Sequence, residues 1–175
     1  MRKTLILLLV LSCFTNQSFA QSSDSGWRAE VGVGILPYNC KMIWNFDGVY
    51  GYHYSSGLFL GVGTGVILNP IHQKGNKTRL EIPVFGKVQY SFLNGQIVSP
   101  YIGAEIGILS DYTDHGNGYI ARPFIGIGVK DFGISIGFTR LSATYDEIGK
   151  VNNEPSLIGG RYENSGVSVQ LRYRF

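Results

Sequence analysis

The chain has 175 residues, of which only 15% are charged, whereas an average globular protein has about 25%. Its 15 Lys and Arg against 12 Asp and Glu give a net charge of +3, too small to indicate nucleic acid as a partner. No apolar run beyond residue 20 reaches the roughly 18 residues of a membrane-spanning helix, so such helices are excluded. The 24 glycines and 13% aromatic residues are instead typical of β-structure with one face in an apolar environment.

Residues 1–20 have the pattern of a signal peptide for export. Two basic residues are followed by the apolar stretch 4–11 and by the small-x-small sequence Ser18-Phe19-Ala20. The apolar stretch is too short to span a bilayer as a helix. We therefore expect cleavage before Gln21, which leaves residues 21–175 as one domain.

The two cysteines limit the chemistry of the chain. Cys13 lies in Val10-Leu11-Ser12-Cys13, a poor match to a lipoprotein signal, and lipid attachment at Cys13 is the alternative to cleavage before Gln21. Cys40 is the cysteine that remains in the mature chain. A single thiol neither closes an intramolecular disulfide nor builds a cysteine-based zinc site, and we expect no metal and no cofactor.

Apolar residues alternate with small or polar residues through much of the mature chain. The alternating segments are 26–36, 45–54, 58–68, 78–92, 101–108, 121–129, 132–139 and 167–175. Three connections between them are short, at 55–57, 94–96 and 130–131, and the longer polar connections are 37–44, 69–76, 110–118 and 144–161. The pattern predicts an all-β fold, an eight-stranded antiparallel transmembrane up-and-down β-barrel.

Short and long connections alternate along the chain, which places the short ones at one end of the barrel. Outer-membrane barrels have short periplasmic turns and long external loops, and an even number of strands leaves both termini on one side. We therefore expect an integral outer-membrane protein with both termini in the periplasm. Loop 144–161 is the longest of them. We therefore expect any extracellular ligand to bind at the long loops, chiefly at loop 144–161.

Eight aromatic residues of the apolar faces lie at the strand ends nearest a short turn or a terminus. They are Trp27, Tyr52, Tyr54, Tyr90, Phe92, Phe132, Tyr173 and Phe175. Threading the chain up and down gathers them into one ring, which is typical of the aromatic girdle of a membrane barrel. Outer-membrane lipids are therefore the expected partners of this face.

The opposite faces are rich in glycine and have a few charges of both signs. The charged residues are Arg28, Glu30, Asp47, Arg79, Glu81, Lys87, Glu105, Arg122, Arg172 and Arg174. Small residues suit the narrow interior of an eight-stranded barrel, and charges of both signs pair there as a polar plug. We therefore expect a polar network in the lumen and no wide pore.

Several stretches carry a family resemblance. They are Gly51-Tyr52-His53-Tyr54, the glycine-alternating 58–65, Ile82-Pro83-Val84-Phe85, Ser99-Pro100-Tyr101-Ile102-Gly103 and the final 167–175. With these the chain resembles the outer-membrane β-barrel domain family, the small porin-like and OmpA-like eight-stranded proteins. The resemblance implies an integral barrel, and the last strand, which ends at Phe175, is similar to the signal read by the barrel assembly machinery. It implies no particular activity, because such barrels serve many functions.

The sequence favours a structural or surface-interaction role without catalysis, and we identify no catalytic residue. A narrow passive channel for ions or small solutes is the main alternative. A lipid-modifying enzyme is a weaker one, suggested by His53 and Ser55, which share a face at i and i+2. That pair lies at an expected periplasmic turn and lacks a third member of a triad.

Overall fold

The computed structural model describes residues 25–38, 41–70, 78–93, 96–112, 116–151 and 154–175, and within 145–151 and 154–159 it describes the backbone alone. Its strands are β1 (Gly26–Tyr38), β2 (Lys41–His53), β3 (Leu58–Asn69), β4 (Arg79–Ser91), β5 (Val98–Asp111), β6 (Asn117–Val129), β7 (Phe132–Val151) and β8 (Glu154–Arg174). The expectations for the signal peptide and for Cys13 and Cys40 lie outside the described residues.

The strands form a closed barrel in which each strand pairs antiparallel with its neighbours in the chain and β1 pairs with β8. The predicted eight-stranded antiparallel up-and-down barrel is thereby confirmed. The seam between β1 and β8 is held by six residue pairs, whereas every other pair of neighbouring strands has at least ten. No helix in the described part of the chain is long and apolar enough to cross a membrane.

The register of the strands determines the width of the barrel. Starting at Glu30 on β1, the paired residues on the following strands are Val49, Gly63, Phe85, Gly107, Ile120, Leu141 and Asn164. The residue of β8 that pairs directly with Glu30 is Arg174, ten residues beyond Asn164. An offset of this size around eight strands requires a strand tilt of about 40° and gives a backbone radius of about 8 Å.

Successive residues of each strand point alternately into the barrel and away from it. On β4, Lys87 and Gln89 are 1% and 3% exposed, whereas Val88 between them is 51% exposed. The outward residues are apolar over most of the barrel height, and most of the charged residues with described side chains lie inside. This is the reverse of the usual arrangement in a water-soluble barrel, where apolar residues fill the interior.

The three connections predicted to be short lie at one end of the barrel, which we call the short-turn end. β2 and β3 are joined through residues 54–57, and β6 and β7 through Lys130 and Asp131. Lys130 has a left-handed φ of 53°, which the two-residue turn requires. The connection between β4 and β5 is also at this end, and its residues 94 and 95 lie outside the described part.

Two of the four connections predicted to be long loops are instead mostly strand. In segment 37–44, Tyr38 pairs with Lys41, so that β1 and β2 continue to the very tip of their hairpin. In segment 144–161, β7 and β8 continue as paired strands up to Val151 and Glu154. The prediction of loops was wrong for two reasons. In segment 37–44 the inward Ile43 is apolar like the outward Met42 and Trp44, so the two faces no longer differ, and in segment 144–161 the strands pass beyond the run of apolar outward residues. Backbone pairing depends on neither pattern.

The hairpin of β7 and β8 extends beyond the rest of the barrel at the end opposite the short turns, the long-loop end. These strands have 20 and 21 residues, whereas the other six have 12 to 14. The pairing of β6 with β7 stops at Ala143, and that of β1 with β8 stops at Val169. Beyond these points, β7 and β8 form a two-stranded ribbon.

We predict that Gly107→Ala destabilises the barrel and that Gly86→Ala does not. A Cβ on the inward Gly107 would lie 2.1 Å from the carbonyl oxygen of Val84, whereas the nearest atom to a Cβ on the outward Gly86 is 3.9 Å away. We expect Gly107→Ala to lower the free energy of unfolding by about 1–3 kcal/mol, as for other overpacked sites. Urea denaturation followed by tryptophan fluorescence measures this change in the free energy of unfolding. Equal midpoints for the two variants would contradict this account of the packing.

Candidate functional site

The candidate site is the lumen of the barrel, because all ten charged residues predicted for the polar network lie on inward-facing positions of the strands. The structure divides them into two groups. The lower group, toward the short-turn end, consists of Arg28, Glu30, Asp47, Lys87, Glu105, Arg122, Arg172 and Arg174. The upper group, toward the long-loop end, contains Arg79 and Glu81, joined by Asp111, which the sequence analysis had not included.

Glu30 is one centre of the lower group. Its carboxylate accepts a hydrogen bond from Lys87 of β4 and another from Nε of Arg174 of β8 at 3.0 Å. Arg172 lies 3.9 Å from the same carboxylate. Lys87, Arg172 and Glu30 are almost completely buried, so these charges compensate one another where water does not screen them.

Arg172 and Arg122 connect the other two carboxylates of the lower group. Arg172 donates to Glu105, and its Nη1 lies 3.0 Å from Asp47. Arg122 donates to Glu105 at 2.9 Å and lies 3.6 Å from Asp47. Arg122 belongs to β6 and Asp47 to β2, which are on opposite sides of an eight-stranded ring. The ion pairs therefore extend across the full width of the lumen.

Neutral side chains that the sequence analysis missed complete the lower group. Asn45 donates to Asp47 at 2.9 Å, and Nε of Arg122 donates to the hydroxyl of Thr139 at 3.2 Å. Gln170 accepts from Arg172 at 3.1 Å. These residues alternate inward like the charged ones, so the period of two was the signal that could have found them.

Aromatic rings pack against the cations of the lower group. The ammonium of Lys87 lies 5.5 Å from the ring centroids of both Phe59 and Phe124, and the guanidinium of Arg174 lies 5.3 Å from that of Tyr101. Cations at this distance from a ring face are attracted by its quadrupole. The rings also fill space that water would otherwise occupy.

Glycines paired with these rings on the neighbouring strand make room for them. A Cβ on Gly103 would lie 2.5 Å from the ring of Phe124, and one on Gly126 would lie 2.5 Å from the ring of Tyr101. The glycine-rich inner face is therefore required by close packing and does not line an open pore.

Apolar side chains fill the lumen between the two polar groups, a feature that the sequence analysis did not predict. They are Leu36, Ile43, Ile67, Leu109, Ile120 and Leu141, all at most 3% exposed. Along β5, for example, the inward residues run from Glu105 through Gly107 and Leu109 to Asp111. The sequence analysis expected glycines and a polar network on the inward face and did not identify this apolar layer, because the inward face continues into segments without a glycine-polar alternation.

The upper group links β8 with the opposite side of the barrel. The hydroxyl of Tyr162 donates to Glu81 at 2.5 Å, and Asn69 donates to the same carboxylate oxygen at 3.0 Å. The guanidinium of Arg79 lies 4.6 Å from the ring centroid of Tyr162 and 3.9 Å from Asp111. Tyr162 therefore holds the base of the β7–β8 hairpin over the mouth of the lumen.

The eight residues of the predicted aromatic girdle all lie on the outward face at the short-turn end. Several are in ring contact, among them Tyr90 with Phe92, Phe132 with Tyr173, and Tyr173 with Phe175. Tyr50, which was not in the predicted set, stacks on Trp27 with ring centroids 5.2 Å apart. The girdle thus includes Tyr50, two positions from Tyr52 along β2 in the direction of the long-loop end.

His53 faces the lumen and is 5% exposed, while Ser55 lies in the turn after β2. Both Arg28 and Arg174 are close enough to act electrostatically on the imidazole. In the part of the chain that the structure describes, no three His, Cys, Asp or Glu side chains come together as a metal site.

Comparisons with known proteins complete the description. No family model and no curated protein matches the chain. Among solved structures, the barrel is similar to that of the crystal structure of Neisserial surface protein A, with 16% sequence identity and a TM-score of 0.49. The match covers 88% of this chain and 98% of the other.

We predict that Glu105→Gln strongly destabilises the barrel, because it leaves Arg122 and Arg172 buried with one charge partner fewer. Removing one member of a buried ion pair costs about 3–5 kcal/mol of unfolding free energy. Glu163→Gln, in the exposed pair with Arg140, is the matched control and is expected to leave the urea midpoint unchanged, because exposed pairs contribute little. A Glu105→Gln variant as stable as the control would show that the lumen pairs do not hold the barrel together.

Proposed function

We propose that the protein is an integral outer-membrane β-barrel with a closed lumen and a structural or surface-interaction role. The observation that carries this proposal is the exposed apolar face of the barrel. Val62, Ile106 and Ile108 are 69%, 68% and 69% exposed, although β-branched residues of a soluble protein are usually buried. A continuous surface of such residues is stable in hydrocarbon and not in water.

The dimensions of the apolar face fit a bilayer. On β5 the outward residues are apolar from Val98 to Ile108 and become polar at Ser110, and on β7 they are apolar from Phe132 to Phe138 and become charged at Arg140. The eleven residues of the β5 run, at a tilt of about 40°, span about 25 Å, the height of the apolar band of outer-membrane barrels, while the β7 run is shorter, at seven residues. The girdle of aromatic residues then lies at one interface of the membrane.

The connections support one orientation. Short turns are periplasmic in outer-membrane barrels, so the short-turn end faces the periplasm together with both ends of the barrel domain. The β7–β8 hairpin then extends outside the cell, and it is the part we propose to contact an external ligand. At the periplasmic end, the outward Tyr173 and Phe175 of the last strand form the element that we propose the barrel assembly machinery reads.

The contents of the lumen support a structural role over a channel. Ion pairs such as that of Arg122 with Asp47 cross the lumen, and the apolar layer above them offers no partner to a hydrated ion. Moving an ion into such a layer without polar partners is very costly. The same packing supports a role without catalysis, because His53 faces the closed interior and not the lipid.

We predict that Ile102→Arg destabilises the barrel in the membrane and that Ile97→Arg does not. Both isoleucines are exposed, at 48% and 68%, but Ile102 lies near the middle of the apolar run from Val98 to Ile108, whereas Ile97 lies before β5 at the short-turn end. An arginine at the bilayer midplane costs about 2–4 kcal/mol. The measurement is the urea midpoint of the protein folded into lipid vesicles, combined with gel mobility before and after boiling. A barrel that tolerates both variants equally, or that carbonate releases from membranes, would refute the membrane location.

We predict that the wild-type protein in planar lipid bilayers shows no reproducible conductance steps. The control is Leu109→Gly combined with Glu105→Gln, which removes a side chain from the apolar layer and a charge from the ion-pair network and is expected to produce openings if the variant still inserts. Stable open steps in the wild type would instead support the passive channel. An altered acyl pattern of lipid A in cells that produce the protein would support the enzyme.

A further inference from the structure

Among the strand residues whose side chains are described, the outward charges are confined to one place. Over β1 to β6, none of the outward-facing residues in the described strands is charged. Lys41 at the tip of β2 is on the inward register and donates to the carbonyl of Pro70 at 3.1 Å. On the parts of β7 and β8 with described side chains, the outward charges are Arg140, Arg161 and Glu163.

These three residues lie just beyond the apolar band at the long-loop end. On β7, the outward residue after Phe138 is Arg140. On β8, the outward residues from the apolar band toward the long-loop end are Val167, Ser165 and Glu163. Ser142 pairs with Glu163 and lies between the two arginines. The patch of Arg140, Ser142, Arg161 and Glu163 therefore lies at the height where the hydrocarbon of the outer leaflet ends.

Each of the two arginines is held in place through its own Nε atom. Nε of Arg140 lies 2.6 Å from the carboxylate of Glu163, and Nε of Arg161 donates to the hydroxyl of Ser142 at 3.0 Å. Each guanidinium has two further nitrogens, and these donate in the planar geometry that matches phosphate oxygens. Their orientation is thus set before any ligand arrives, which lowers the entropy cost of binding.

We infer that this patch binds the phosphate groups of lipid A, the glycolipid of the outer leaflet. The inference rests on the proposed membrane location, because that location brings a phosphate-bearing headgroup to this height. The patch has two cations and one carboxylate, so it keeps a net positive charge toward an anionic headgroup. The acyl chains of the same lipid lie against the apolar faces of β7 and β8 below the patch. Charge and apolar surface therefore match the two parts of one molecule.

The test compares variants of the purified barrel in mixed detergent micelles that contain diphosphoryl lipid A, lipid A without phosphates, or phosphatidylglycerol. We expect the wild type to bind diphosphoryl lipid A at least about tenfold more tightly than the other two lipids, since hydrogen bonds to charged groups are strong. The double variant Arg140→Gln with Arg161→Gln is expected to lose this preference. Native mass spectrometry of the lipid-bound fraction measures the affinity of each variant for the three lipids.

Two further variants separate a phosphate site from a structural ion pair. Lys130→Gln, a cation removed at the short-turn end, is the matched control and is expected to bind like the wild type. Glu163→Gln removes the carboxylate that orients Arg140 but keeps both cations, so it is expected to weaken the binding of diphosphoryl lipid A less than the double variant does and to keep the preference for this lipid. If Glu163→Gln loses the preference as completely as the double variant, the role of the pair is structural and the inference is wrong.

Gel mobility before and after boiling is measured on every variant, which separates the two proposals. A wild-type protein that does not behave as a closed membrane barrel overturns the proposed function itself. A wild type that folds into membranes but binds lipid A equally with and without phosphates overturns the phosphate site alone. Equally tight binding of phosphatidylglycerol overturns the assignment to lipid A.

Discussion

The narrow radius of the barrel is the constraint on which the rest of the structure depends. A backbone radius of about 8 Å leaves room for little more than one side chain from each wall. A large residue on one strand is therefore paired with a glycine on the neighbouring strand, as Phe85 of β4 is with Gly63 of β3, where a Cβ would lie 2.6 Å from the ring. The same narrowness lets Arg122 on one side reach Asp47 on the other. Packing and electrostatics in the lumen thus both follow from the strand register.

Much of the fold could be predicted because it depends on a period of two. Alternation alone determines which residues share a face, so it placed Glu30, Lys87 and Arg172 inside and Trp27 and Phe132 outside. The ends of the strands were harder to predict, since apolar and polar residues no longer alternate along the sequence in segment 144–161. Backbone hydrogen bonds continue there without a signal in the side chains.

The partners within the candidate site could not be predicted, because they depend on the offset between strands. Nothing in the residue pattern relates the height of Arg172 on β8 to that of Glu105 on β5, and an offset two residues larger or smaller would keep every residue on its face. Tyr162 illustrates the same limit. Its bond to Glu81 joins residues 81 positions apart, and it forms only because β8 continues past the rim of the barrel.

The seam between β1 and β8 has a consequence for how the molecule forms. Its six residue pairs join the two ends of the domain, and the contact between Arg174 and Glu30 is 144 positions apart in the chain. Closing so long a loop has a large entropy cost, so the ring closes late in folding. Until it does, the first and last strands both present unpaired edges on which other chains can stack. Aggregation is therefore most favoured before the ring closes.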